Sequence, residues 1–150
     1  MARTLAGGAP TLLERDAPLA RLREAREAAA RGRGSLTLVL GEAGIGKTSL
    51  VRAFAADGRG RVVWGDCDPL SAPRPLGPLH DIARETGGEL AAVMASDASL
   101  HERFAAAIDS LSHPPSPVIV VIEDVHWADD ATRDFVVFLA RRVQDRKSVV

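Results

Sequence analysis

Apolar positions along the chain switch between helical spacing and short continuous runs. Leu19, Leu22, Ala25 and Ala29 fall on one helical face; Asp16-Ala-Pro18 predicts the start, with Asp16 as N-cap, and Gly32 and Gly34 the end. Leu36-Thr-Leu-Val-Leu40 is a β-rich run that predicts a buried strand. A glycine-rich turn follows, then a helix from about Lys47 to Ala56 with Leu50, Val51, Phe54 and Ala55 inward, stopped by Asp57-Gly58. Arg61-Val-Val-Trp64 predicts a second strand. Pro69, Pro73, Pro75 and Pro78 then mark an ordered loop, before a short helix over Leu79–Glu85 that Gly87-Gly88 ends. Ser99-Leu-His-Glu102 has capping-box spacing, and Leu100, Phe104, Ala107, Ile108 and Leu111 form the stripe of the helix behind it. His113-Pro-Pro-Ser-Pro117 breaks that helix. Val118–Ile122 is apolar throughout, as a strand buried on both faces is. A last helix starts near Asp129 and turns Phe135, Phe138, Leu139 and Val143 inward. Strands alternating with helices predict an α/β fold with a parallel sheet.

Composition narrows the class. The 150 residues are 46% apolar and 26% charged, ordinary for one soluble domain with a real core. With 19 basic and 20 acidic residues the chain lacks the basic excess of a general nucleic-acid surface. Cys67 is the only cysteine, which excludes an intrachain disulfide and a cysteine zinc cluster; it reads as a small buried hydrophobe in a reducing compartment. The longest apolar run, Val118–Ile122, is far short of the roughly 20 residues of a membrane helix. The first ten residues read as a loose tail and hold no signal-peptide core, so the cytoplasm is the expected location and no membrane partner is expected.

The candidate chemistry concentrates at Gly41-Glu42-Ala43-Gly44-Ile45-Gly46-Lys47-Thr48, a full G-x-x-x-x-G-K-[ST] pattern followed by Ser49. Gly41, Gly44 and Gly46 permit backbone angles and approaches that a Cβ would block, so loop amides can surround phosphate oxygens. The helix that follows adds free N–H groups and its positive dipole end. Lys47 is placed to meet the β and γ phosphates, and the Thr48 hydroxyl to meet Mg²⁺. The same glycines also fit a dinucleotide turn. Lys47-Thr48 argues against that, although Asp66 and Asp68 come near the spacing of its ribose-binding acid.

Glu123 and Asp124 close the third apolar run. An apolar strand with acidic ends is common, and two solvated charges would explain it. About 75 residues after a phosphate loop, the pair instead suits Mg²⁺ held through water and an attacking water oriented by the neighbouring carboxylate. Adjacent strand residues face opposite ways, so which carboxylate serves the metal is open.

Leu12-Leu-Glu-Arg15-Asp, the loop, Trp64-Gly-Asp-Cys67, Pro73-Arg-Pro-Leu-Gly-Pro78 and Glu123-Asp-Val-His-Trp-Ala-Asp129 together resemble the AAA-type ATPase domain of large LuxR-type transcriptional regulators, among the signal-transduction ATPases with numerous domains. The resemblance runs from about residue 11 to residue 146. It implies a P-loop NTPase three-layer sandwich around a parallel sheet, binding ATP or ADP with Mg²⁺. It gives Glu123 and Asp124 the metal and water-activating roles, with Glu123 standing where many relatives carry Asp. It implies a supporting role for Arg15 at the nucleotide, and places His126 and Trp127 in packing behind the acidic pair.

On the same resemblance, residues 11–150 are the N-terminal part of the ATPase domain, stopping before its sensor strand, with Lys147-Ser-Val-Val150 as that strand's first residues. DNA binding then belongs to a later domain rather than this segment, and self-association to the intact protein. The function expected is an ATP-binding switch with slow or partner-dependent hydrolysis. A small phosphotransferase using Asp66 or Asp68 toward an acceptor hydroxyl, and an inert remnant, are the alternatives.

Overall fold

The computed structural model describes residues 15–70, 74–112, 117–143 and 148–149. The N-terminal tail, the break at 113–116, Pro73, Lys147 and Val150 lie outside the described residues. The element order is α1 (Asp16–Ala30), α2 (Lys47–Ala55), β1 (Arg61–Asp66), α3 (Gly77–Thr86), α4 (Gly88–Met94), α5 (Leu100–Ser112), β2 (Val118–Glu123), α6 (Asp130–Arg142) and β3 (Ser148–Val149). A 3₁₀ turn covers Val125–Trp127.

The sheet is parallel, in the order β1-β2-β3. β1 and β2 pair from Arg61 opposite Val118 through Asp66 opposite Glu123. β3 adds a short ladder on the far side of β2, with Ser148 opposite Val118. Helices cover both faces, as the all-apolar β2 requires. Ile119 and Val121 pack with Leu19, Leu22 and Ala29 of α1 and Leu50 and Phe54 of α2; Val62 and Trp64 of β1 join them. Val118 and Val120, with Val63, pack on the opposite face against α3 to α6. Phe104 lies 5.2 Å from Phe135 and 5.1 Å from Phe138, ring centre to ring centre, so these aromatics form core contacts.

Several expected boundaries move for local reasons. Asp16 is the first residue of α1 and Arg15 takes the cap position without a side-chain bond. Ser99 and Glu102 do form the capping box: Glu102 accepts from the Ser99 amide at 2.7 Å, and the Glu102 amide donates to the Ser99 hydroxyl at 3.3 Å. Leu100 is nonetheless exposed, because it sits in the first turn ahead of the buried stripe. Gly87-Gly88 ends α3 as expected but also opens α4, whose Leu90 and Met94 complete the larger core. Asp129 caps α6 by accepting from the Thr132 amide at 3.1 Å. The same carboxylate accepts from the Leu76 amide at 3.3 Å, tying the proline-rich loop to the start of α6. Gly65 is buried, and a Cβ there would lie 2.5 Å from the Pro78 carbonyl oxygen, so α3 abuts β1 only because residue 65 is glycine.

The largest correction concerns Leu36–Leu40. This segment is not a strand among the described residues: only Ser35 makes a bridge, and Leu38 and Leu40 are 65% and 85% exposed. β propensity expresses itself only when a neighbouring strand supplies the ladder. Of the segment, Val39 alone packs against the α1/α2 cluster.

α1 and α2 are also joined by charge. Arg26 is 5% exposed inside the helical face and donates to both carboxylate oxygens of Asp57, just past α2, with the second contact at 2.7 Å. Its guanidinium also lies 4.8 Å from the centre of the Phe54 ring. Hydrogen bonding from Arg26 holds the Asp57 carboxyl below the usual carboxylate range. A lowered carboxylate stabilises the fold above its ordinary pKa and loses that contribution as pH falls through the folded value. Asp57→Ala should therefore cost about 1–2 kcal/mol near neutral pH, less than a fully buried pair because the carboxylate is partly open to water. The loss should shrink in acid. Chemical denaturation at pH 7 and pH 3 measures both values.

Candidate functional site

The loop from Gly41 to Gly46 is exposed or half-buried and leads directly into α2. Gly46 is the N-cap of α2, with φ 86° and ψ 34°, a left-handed conformation suited to glycine. A structural helix would satisfy its first amides with a side-chain cap and an acidic first turn. α2 has neither: no side chain caps it, and its first turn holds Lys47, Thr48 and Ser49. Two cations converge there instead. Lys47 Nζ donates to the carbonyls of Gly41 and Glu42, each at 2.9 Å. Arg15 donates to the carbonyls of Ile45 at 2.5 Å and Gly46 at 2.8 Å. Free amides, a positive dipole end and the Lys47 ammonium are the features that favour an anion at a helix start. Glu42, Ala43, Gly44 and Ile45 are exposed on the loop, and Thr48 and Ser49 are exposed on the first turn of α2.

The acidic pair sits at the C-terminal end of β2, and the fold decides its facing. Glu123 continues the series Ile119, Val121, so alternation places it on the α1/α2 face. Asp124 lies past the strand in the left-handed region, at φ 53°. The parallel register brings a third carboxylate beside the pair. Asp66 lies opposite Glu123 and continues the series Val62, Trp64 on the same face. The Cys67 amide donates to the Glu123 carbonyl at 3.2 Å, extending the ladder past the strand end. Burial, with the charges of Glu123, Asp81, Asp124 and Asp68, raises the Asp66 carboxyl above its ordinary value. Burial and the neighbouring acids also push the Cys67 thiol up to about 11, so Cys67 is an unreactive core side chain.

Loop and acids belong to one end of the sheet. Asp57–Gly60 leads from α2 into β1, and a Cβ on Gly60 would lie 2.7 Å from the carbonyl oxygen of Pro117, just ahead of β2. The C-terminal end of α2 is thus at the strand starts, and α2 runs back along the Ile119/Val121 face with Lys47 toward the strand ends. Among the described residues, no hydrogen bond or ion pair joins Gly41–Ser49 directly to Glu123 or Asp124, and no three His, Cys, Asp or Glu side chains converge as a metal cage. A cage is not what Mg²⁺ needs at a phosphate site, where one or two carboxylates, phosphate oxygens and water complete the shell. The hydroxyl of Thr48 and the carboxylates of Glu123 and Asp124 are the right hard donors.

His126 and Trp127 correct an expectation. Both are exposed, Trp127 at 48%, and their rings lie 5.1 Å apart on the 3₁₀ turn rather than behind the acids. The turn is too short to fold back over the strand end. Asp66, on spacing an alternative acceptor-orienting acid, instead stands beside Glu123; the signal in the sequence is that each acid closes a strand, at 61–66 and 118–123.

Parallel strands, helices on both faces and a glycine loop opening an uncapped helix define the class, an α/β fold of P-loop NTPase type. The family model of the AAA ATPase domain matches residues 11–150, and the chain belongs to that family. No curated protein and no solved structure matches it. Among the described residues no helix is long and apolar enough to cross a membrane.

The raised Asp66 carboxyl gives a testable sign. A raised carboxyl opposes the fold once ionised, so its protonated form stabilises and that contribution is lost as pH rises. Asp66→Asn should raise Tm at pH 7, and the gain should vanish when the pH falls below the ordinary carboxylate range. Thermal melts at pH 7 and pH 3.5 check the crossover.

Proposed function

We propose that the chain is an ATP-binding switch module that holds Mg²⁺-ATP at the loop and hydrolyses it slowly or under control of a partner. The observation that carries this is the first turn of α2, uncapped, without acid, and opened by Lys47. The amides of Gly44, Gly46, Lys47 and Thr48 would bind phosphate oxygens, with Glu42, Ala43, Ile45 and Ser49 completing the wall of the cradle. Lys47 Nζ is already held at the loop by two carbonyls and keeps one donor for a phosphate oxygen. Thr48 and Glu123 would hold the metal, since Glu123 shares the face of the sheet that α2 covers. Asp124, past the strand end, would orient the attacking water. Bound Mg²⁺ supplies neutralisation of phosphate charge.

We further read the module as part of a LuxR-type transcriptional regulator. The string Glu123-Asp-Val-His-Trp-Ala-Asp129 supports this. In that reading residues 11–150 are the N-terminal part of the ATPase domain, in the cytoplasm; DNA is contacted elsewhere in the protein, and self-association belongs to the whole molecule.

Lys47→Ala should weaken ATP at least tenfold while changing adenosine affinity less than twofold, because Lys47 addresses phosphate alone. Calorimetry with both ligands decides, and equal loss would overturn the assignment. In steady-state assays on the intact regulator, Glu123→Gln should raise the Mg²⁺ concentration needed for half-maximal turnover. Asp124→Asn should slow turnover while sparing ATP binding. Wild-type rates in both variants would reject the acidic site.

A further inference from the structure

Arg15 does something more specific than adding charge near the loop. Its guanidinium spans two consecutive peptide groups, donating Nη2 to the Ile45 carbonyl and Nη1 to the Gly46 carbonyl. In a trans peptide the carbonyl and the following N–H point in opposite directions. Arg15 fixes the Ile45 carbonyl and shares the Gly46 carbonyl with the Leu50 amide, which donates to it at 3.0 Å in the first helical turn; together these bonds aim the N–H groups of Gly46 and Lys47 the other way. These are the amides at the loop-to-helix junction, where an anion would sit.

Gly46 makes room for this contact. A Cβ at residue 46 would lie 2.2 Å from Arg15 Nη2 and 2.9 Å from both Cζ and Nη1. The glycine thus serves a steric purpose beyond its left-handed φ. A cation at a helix N-terminus opposes the helix dipole, so Arg15 is ill placed for stabilising an empty α2. Its bonds to the two carbonyls offset that cost. The side chain is also mounted on a fixed base: the Arg15 carbonyl accepts from the Leu19 amide at 3.0 Å, and α1 is fastened to the other end of α2 through Arg26 and Asp57. The two fastenings are eleven residues apart along each segment, so α1 braces α2 at both ends.

We propose that Arg15 is a positioning residue for the phosphate site: it clamps the Ile45 and Gly46 carbonyls and so holds the Gly46 and Lys47 amides in the phosphate-binding orientation before ligand arrives. The proposal rests on the phosphate reading of the loop, and it assigns Arg15 to the loop backbone and not to the base or ribose. Preorganisation of this kind raises affinity by removing the ordering cost of binding.

The test has an arm that needs no ligand. In the free full chain, ¹⁵N–¹H shifts and ¹⁵N backbone order parameters of Gly46 and Lys47 are compared for wild type, Arg15→Ala and Arg15→Lys. Arg15→Ala should shift both amide resonances and lower their order parameters, because the peptide groups lose the bonds that fix them, while amides of Phe135 and Leu139 stay unchanged. Arg15→Lys, which keeps charge but not the two-pronged donor, should fall between them. The second arm titrates Mg²⁺-ATP and inorganic tripolyphosphate. Both should weaken by about tenfold in Arg15→Ala, and millimolar guanidinium should restore part of each. Loss for ATP alone would place Arg15 on the nucleoside and overturn the proposal. Unchanged Gly46 and Lys47 amides in both variants would overturn it as well. Wild-type protein that binds neither ligand, with the amide effect intact, would reject the phosphate reading while leaving the clamp on the backbone established.

Discussion

β2 is apolar on both faces, and the arrangement depends on that constraint. Val118–Glu123 cannot be left against water on either side, so helices must close over Ile119 and Val121 on one face and Val118 and Val120 on the other. Covering the first face brings in α1 and α2. Covering the second brings in α3 to α6, with Phe104, Phe135 and Leu139 filling the space. The same strand ends in Glu123 and Asp124, so the most buried element of the domain delivers its charges to the rim of the sheet. Burial of the strand fixes the position of the acids.

The helix that carries the loop is held by packing and by charge. Leu50 and Phe54 seat α2 on Ile119 and Val121, while Arg26 and Asp57 fasten its far end to α1. The near end is unusual in what it leaves unsatisfied. A helix start with no cap, no acid, a left-handed glycine and two cations is unfavourable alone. Such local conflict between good folding and the residues present is characteristic of functional sites. An anion bound there would relieve the conflict, which agrees with the phosphate role proposed for the loop and with membership of the AAA ATPase domain family.

Acid accumulates on one side of this site. Asp66 meets Glu123 through the parallel register, and Asp81 accepts from the Asp66 amide at 3.3 Å. The electrostatic cost falls on Asp66, whose carboxyl is raised by burial and by its neighbours. The opposite side of the site is positive, with Lys47 and Arg15 at the start of α2. The dipolar layout suits a ligand that combines phosphates with a divalent cation.

The glycine-rich loop opening a helix, the acidic strand end, the α/β class, the capping box at Ser99 and most helical stripes were legible in the residues, because each rests on local spacing or on one residue's own conformational range. Other features needed the tertiary structure. Leu36–Leu40 has strand propensity, yet pairing requires a neighbour that a local pattern does not specify. Alternation does not say which acid faces α2; the packing of Leu50 and Phe54 on Ile119 and Val121 put Glu123 on that face, and a left-handed backbone past the strand end took Asp124 out of the alternation. The pairing of Asp66 with Glu123 follows from a register between strands more than 50 residues apart. Burial of Arg26 follows from an acid supplied by another helix end, Asp57. The sequence alone determined which groups could bind phosphate, since amides, a lysine and carboxylates carry their chemistry with them. Only the tertiary structure decided which way they face, because facing is set by contacts between segments distant along the chain.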